Sequence, residues 1–362
     1  MMISLVYANS VQANNDKLRC IVVSTIVMTF FSGLRTWWFG DLIKYYTLYN
    51  GCNSLNWKET VFSSSANMGI RLFFHFAGRL GLSYEICIFI IAAFSASCLG
   101  LLIYHFSPSP YWSYLMYIAM GFYLFTYSGL KQTIAMAFIM LALISILEDR
   151  LLFFILWTLI ASFFHAPAFI FIIAYPVAKK KIDGYYYFMV IVAMVLIYVY
   201  RDAIVSFLTE AYYEKENIYS GNLSFGGRFI MMIFIMVLGV GMRPLRIQDQ
   251  LYCQIFNLMV MAAAIQFFSI YNHNFTRLAD YYYQFIILFL PMFMESGDHQ
   301  ALVNPERKYD IRYFTRGSIL ALGVAITVFS LWYYSRYIQS SEAMLNSFKF
   351  FWQLDPYALY GN

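Results

Sequence analysis

The strongest constraint on this chain is a succession of apolar runs, each bounded by charge, proline or glycine. Cys20–Trp38, Tyr84–Tyr104, Tyr111–Tyr127, Leu130–Leu147, Tyr185–Tyr200, Phe229–Met242, Leu251–Tyr271, Leu278–Met294 and Ser318–Tyr337 stand out. A helix needs about 20 apolar residues to cross the hydrocarbon core. Inside that core every backbone N–H and C=O must be satisfied within the protein, which favours helices. The apolar residues are continuous and do not alternate, so an outer-membrane barrel is disfavoured. Composition agrees: 61% of residues are hydrophobic and 12% charged, against about 45–50% and 25% in a soluble domain. These figures exclude disorder, a disulfide-stapled scaffold and a coiled coil, and argue strongly against a soluble enzyme. The expected fold is all-α: a polytopic integral membrane helix bundle of about 10–12 spans, with short broken helices, forming a single domain over residues 1–362.

One run departs from the simple pattern. Leu151–Val177 is apolar throughout but carries His165 and Pro167. Proline ends or kinks a helix, so two short helices, Leu151–Phe163 and Ala166–Val177, are expected to meet near His165.

Basic residues orient the bundle. Lys179, Lys180 and Lys181, with Arg243 and Arg246, mark inner loops, and Lys17 and Arg19 place the N-terminal end inside. The long connections, about residues 39–83 and 201–228, then lie outside, and a mixed-charge loop, about 295–317, lies inside. Cys20, Cys87, Cys98 and Cys253 sit in apolar runs and only Cys52 lies outside them. Neither a disulfide framework nor zinc-ligand spacing is present.

Charge is scarce here, so each cation near the apolar zone asks for a reason. Arg35 and Asp41 follow the first span beside Trp37 and Trp38, with Tyr45 and Tyr46 next. Arg71, His75 and Arg79 recur at i, i+4 and i+8, one stripe of a helix, expected to turn its cations toward lipid headgroups. Lys131, followed by Gln132, enters an apolar helix directly. His165 is the residue type whose unperturbed pKa suits proton transfer near neutrality. Arg277 opens another span, with Asp280 at i+3 as its expected partner and Tyr281 beside it. Walker, nucleophile-elbow and H-E-x-x-H motifs are absent, as is D-x-D. Glu214-Lys-Glu216 is at most a weak stand-in for a carboxylate pair.

The order of these elements resembles the EpsG-like branch of the Wzy-type polysaccharide polymerases. The resemblance rests on Gly33-Leu34-Arg35 with Gly40, Asp41 and Tyr45, then Lys131-Gln132 with Ala135, Phe164-His165, Arg277-Leu278 and Pro356-Tyr357. It runs from about residue 31 to 357, each motif short and the order carrying most of the weight. Lys131 stands where the family has Arg, keeping charge but losing the bidentate fork. Ala166-Pro167-Ala168 replaces Lys-Ser-Ala, Gly40 directly adjoins Asp41, and the family's first span is not expected within this sequence.

The resemblance implies a bacterial inner-membrane glycosyltransferase with its active site facing the periplasm. It would polymerise oligosaccharide repeat units carried on undecaprenyl pyrophosphate, the precursors of O-antigen or another surface polysaccharide. Arg35, Lys131 and Arg277 would bind the pyrophosphate, helped by Arg71 and Arg79. His165 or Asp41 would act as base, and Tyr45, Gln132 and Tyr281 would meet sugar. No metal, cofactor or nucleic acid is expected. The implied partners are the lipid-linked substrate, membrane lipids and a chain-length co-polymerase. The alternatives are a flippase for the same lipid-linked oligosaccharide and a membrane O-acyltransferase acting on surface polysaccharide.

Overall fold

The computed structural model describes residues 14–36, 41–62, 68–181, 184–200, 227–246, 249–270, 274–295 and 349–353, with isolated positions between 203 and 335. The expected span Ser318–Tyr337, most of the 201–228 and 295–317 connections, and Trp37, Trp38, Gly40, Pro356 and Tyr357 fall outside the described residues. What is described is helical, without a named strand.

The elements in order are α1 (Asn14–Gly33), α2 (Asp41–Ser54), α3 (Trp57–Phe62), α4 (Met68–Arg79), α5 (Tyr84–Phe106), α6 (Pro110–Ala119), α7 (Phe122–Phe125), α8 (Leu130–Leu147) and α9 (Leu151–Phe164). A 3₁₀ segment (Ala166–Ile173) leads into α10 (Ala174–Ala178), followed by α11 (Gly184–Val199), α12 (Gly227–Arg246), α13 (Gln250–Phe267), α14 (Asn274–Tyr283) and α15 (Ile286–Glu295). Among the described residues, α5, α8 and α13 are long and apolar enough to cross a membrane, and α9, the 3₁₀–α10 stretch and part of α12 are shorter apolar helices.

Local chemistry sets several ends. Ser83 caps α5, its Oγ accepting from the Ile86 N–H at 3.4 Å, and Asp249 caps α13 by accepting from the Tyr252 N–H at 3.1 Å. Asn56 and Glu59 form a reciprocal capping box at the start of α3, at 2.9 and 3.1 Å. Ahead of His165 the chain is regular helix. After it, Pro167 offers no N–H, and the chain continues as 3₁₀ helix, with the Ala168 N–H bonded to the His165 carbonyl at 2.8 Å.

Two expected spans are broken. Tyr111–Tyr127 divides into α6 and α7 at Met120–Gly121, where Gly121 adopts φ +82°. Leu278–Met294 divides into α14 and α15 at Gln284–Phe285, and its first helix starts earlier, at Asn274. Neither break disturbs the apolar character, because Phe122, Phe285 and Ile286 are as buried as the helices around them. The outer connection 39–83 is also not a plain loop: α2, α3 and α4 occupy its described parts.

The bundle is built from neighbouring helices, antiparallel for α1 with α5 and for α8 with α9, and parallel for α5 with α8. α1 lies along α5, α5 along α8, and α8 forms a tight hairpin with α9. Small residues let α1 and α5 approach: a Cβ on Gly33 would sit 2.8 Å from the Phe89 ring, and one on Gly100 2.9 Å from Thr25 Oγ1. This arrangement sorts the charges into two ends. Lys17 Nζ donates to the Ser107 carbonyl, Lys179 pairs with Asp149, and Asn257 donates to the carbonyls of Val177 and Lys180, all at one end. Arg35, Lys131, His165 and Arg277 gather toward the other.

Candidate functional site

The site forms where the N-terminal turn of α8, the C-terminal end of α9 and the first turns of α14 converge under α2 and α4. His165 sits half-buried at the break between α9 and the 3₁₀ segment. Its Nδ1 shares a 2.5 Å hydrogen bond with the hydroxyl of Tyr281, whose side chain is completely buried. Lys131, half-buried, and Arg277, exposed, both lie close enough to His165 to act on its charge. Gln132, buried, donates from Nε2 to the Arg277 carbonyl at 3.1 Å and so ties α8 to α14. Tyr45 reaches down from α2 and hydrogen-bonds the backbone of Lys131. Burial raises the Tyr45 phenol well above its ordinary pKa, and it stays a neutral hydrogen-bonding group.

Three consecutive tyrosines explain why α14 holds this geometry. Tyr281 reaches His165. Tyr282 donates its hydroxyl to the Ile170 carbonyl on the 3₁₀ segment at 2.8 Å. Tyr283 points to Met120 and Met231, at 3.3 and 3.5 Å from their sulfurs. α14 is thereby fixed to the broken hairpin and to α12 at once.

Asp280 was expected to pair with Arg277. It pairs instead with Arg228 of α12, whose guanidinium also lies 4.6 Å from the Tyr283 ring centroid. The reason is burial. Asp280 is 7% exposed and faces the bundle, whereas Arg277 faces outward. A buried carboxylate needs a partner on the side it faces. Arg228 is a functional-site neighbour that residue spacing did not expose, since it is distant in sequence.

The remaining candidates occupy a second tier. Arg35 is 2% exposed, and its guanidinium donates to the carbonyls of Thr126 at 2.8 Å and Tyr127 at 3.2 Å, over the Tyr127 ring. Asp41 is exposed and paired with Lys44 at 3.2 Å. Most of the Arg71–His75–Arg79 stripe is covered by protein. Arg71 and His75 are buried against α2 and α3, with His75 Nδ1 3.0 Å from the Cys52 carbonyl, while Arg79 is exposed and reaches the Leu55 carbonyl at 3.5 Å. α2 and α3 fold over α4 and present carbonyls to the stripe, so Arg71 and His75 turn inward while Arg79 stays exposed. Beneath them burial raises the Cys52 thiol pKa, and the neighbouring Arg71 opposes that rise.

α4 is seated on the site by Gly69. A Cβ there would lie 2.7 Å from the Phe163 carbonyl oxygen and 2.9 Å from Phe164 Cα, immediately before His165 in the chain. Such contacts with backbone leave no room for a larger residue.

The arrangement puts two cations, a half-buried imidazole and a buried amide at one end of an apolar bundle. It suits an anionic ligand that also has to lose or give up a proton nearby. No curated protein and no solved structure matches the chain. The model of the EpsG family does match it, over residues 18–303. That match contains every residue of the site, and the chain belongs to the EpsG family, as a membrane protein of polysaccharide biosynthesis.

Proposed function

We propose that the chain is a polysaccharide polymerase that transfers a growing glycan from a lipid pyrophosphate carrier to a hydroxyl of the next lipid-linked repeat unit. The observation that carries this reading is the convergence of Lys131, Arg277 and His165 where α9 meets the 3₁₀ segment. Undecaprenyl pyrophosphate is the carrier implied by the family, and the periplasmic face is implied by Lys179–Lys181 lying at the opposite end.

In the reaction the acceptor oxygen attacks the anomeric carbon, the bond from that carbon to the pyrophosphate oxygen breaks, and the carrier leaves with both electrons. Negative charge grows on the leaving oxygen. Fixed cations at that point stabilise the transition state more than the ground state. Lys131 and Arg277 are assigned that role. His165 takes the hydroxyl proton: when Nδ1–H donates to the Tyr281 oxygen, Nε2 keeps a lone pair facing away from Tyr281. His165 is favoured over Asp41 as base because Asp41 is solvated and paired with Lys44. Arg35, Arg71 and Arg79 stand behind this set, steadying the surrounding helices. Tyr45 and Gln132 border the space left for sugar, and Tyr281 orients the base.

The depth of the site supports a lipid-linked substrate. α9 has 14 residues, about 21 Å of helix. The 3₁₀ segment and α10 have 8 and 5 residues, together about 24 Å. Both fall short of a hydrocarbon core of about 30 Å, so His165 lies below the level of the headgroups, within reach of a carrier that stays in the bilayer. A deletion strain complemented with this gene tests the reading: restored surface polysaccharide ladders support it, and single repeat units with no ladder overturn it.

A further inference from the structure

Outside the region matched by the family model, the segment Lys349–Gln353 crosses the end of α1. There the chain leaves α1 extended, and Arg35 and Phe350 pair as opposed residues of an antiparallel bridge. The Thr36 N–H donates to the Lys349 carbonyl at 2.7 Å, and the Phe351 N–H donates to the Leu34 carbonyl at 3.0 Å. These bonds flank the Arg35–Phe350 pair, which is therefore the non-hydrogen-bonded kind, with side chains closest together. The Phe350 ring packs on Phe30 and Phe31 of α1, at 5.7 and 6.2 Å, and stacks on Trp352 at 4.5 Å. The Phe350 N–H donates to Gln353 Oε1 at 2.8 Å, closing the segment into a single turn.

We propose that Lys349–Gln353 is a clasp that positions Arg35 and, through it, the start of α8 with Lys131. The chain of contact is continuous. The clasp fixes the backbone on both sides of Arg35. Arg35 spends its guanidinium on the carbonyls of Thr126 and Tyr127, which end α7. The turn that follows leads directly into α8, whose first turn bears Lys131 and Gln132. Two short backbone bonds and one aromatic anchor hold residues far apart in the chain, so the clasp is a separable part that can be removed without touching the site. Arg35 is on this account a positioning residue. The effect of the clasp on activity rests on the polymerase reading; its effect on structure does not.

The first test uses membranes containing the full chain with its native cysteines replaced. Thr36→Cys and Lys349→Cys occupy facing positions in a pair spaced about 5.5 Å at Cα, within disulfide range. Oxidation is expected to join them, seen as loss of both maleimide–polyethylene glycol gel shifts and their return on reduction, while each single-cysteine chain keeps its shift. Absence of the cross-link overturns the proposal. The second test labels the single variant Thr36→Cys, a buried position, with a small membrane-impermeant maleimide. Phe351→Pro, which removes one bridging N–H, and deletion of residues 349–353 are each expected to raise labelling severalfold. Unchanged labelling in both overturns the proposal, and using both guards against misfolding of either.

The third readout is surface polymer in the complemented deletion strain. The clasp variants are expected to lower it about tenfold, as a displaced positioning group does. If labelling rises but polymer holds steady while Lys131→Ala abolishes it, the clasp does not position the site. If the cross-link and the labelling behave as expected while Lys131→Ala and His165→Ala leave polymer untouched, the polymerase reading falls and the clasp stands.

Discussion

Tyr281 and His165 share a 2.5 Å hydrogen bond between a buried phenol oxygen and Nδ1, across the join between α9 and the 3₁₀ segment. A ring held at Nδ1 has one nitrogen left for chemistry, and its direction is set by the tyrosine. His165→Ala is expected to lower polymer formation by about 10²–10⁴-fold, the span of general base catalysis. Tyr281→Phe keeps the ring and loses the hydroxyl, so a smaller loss of about tenfold is expected from a less well-oriented base. Ladder intensity in the complemented strain measures both. Equal losses in the two variants would assign Tyr281 more than an orienting role.

On the proposed reading Lys131 and Arg277 share one task, stabilising the charge on the leaving pyrophosphate. Lys131→Ala and Arg277→Ala are each expected to reduce polymer about 10²–10³-fold. Lys131→Arg is expected to retain most activity, restoring the residue type usual in the family. Quantified lipid-linked repeat units should accumulate as polymer falls; polymer unchanged by both alanine variants would remove the site assignment.

Asp280 and Arg228 form a buried pair beside the tyrosine that holds His165. Asp280→Asn leaves a half-buried guanidinium without its counter-charge and is expected to destabilise the detergent-solubilised protein by about 3 kcal/mol. The double variant Asp280→Asn with Arg228→Met removes both charges and is expected to recover much of that loss. Thermal unfolding followed by tryptophan fluorescence reads the difference. A double variant as unstable as the single one would show that the pair does not act as a unit.

Gly69 lets α4 sit on the end of α9. Gly69→Val drives a side chain into the Phe163 carbonyl and Phe164 Cα, and overpacking of this kind costs about 1–3 kcal/mol. The expected result is a chain that inserts normally but has lost its polymer ladder, checked by membrane fractionation beside the ladder gel. Normal ladders would show that α4 can lift away without disturbing His165.

Much of this was readable from residues alone, for reasons that are physical. Leu130–Leu147 is both an apolar run and a helix with the same limits, because the bilayer filters sequence by length and polarity. Lys131, His165 and Arg277 were visible because a charged or titratable group is expensive in that setting. The break at Gly121 was not visible, since glycine is tolerated inside many helices and its φ of +82° depends on what packs around it. The partner of Asp280 was hidden for a related reason: spacing reports neighbours within one helix, and Arg228 lies on another. The basic stripe of α4 is legible from its spacing, but the cover that α2 and α3 place over Arg71 and His75 is not, because periodicity gives a face and not what covers it.

The brevity of α9 and of the helix that returns from it has an effect beyond the protein. A hairpin of about 21–24 Å in a bilayer of about 30 Å creates a hydrophobic mismatch, with Leu152, Phe163 and Phe169 exposed on its flank. Lipids beside it must thin to meet those side chains. A bilayer that holds this hairpin would be drawn in toward His165, and a thicker or more ordered one would resist that dimple. On the polymerase reading, acyl-chain length would then act on the reaction: the lipid next to the hairpin would shape the site together with the helices that line it.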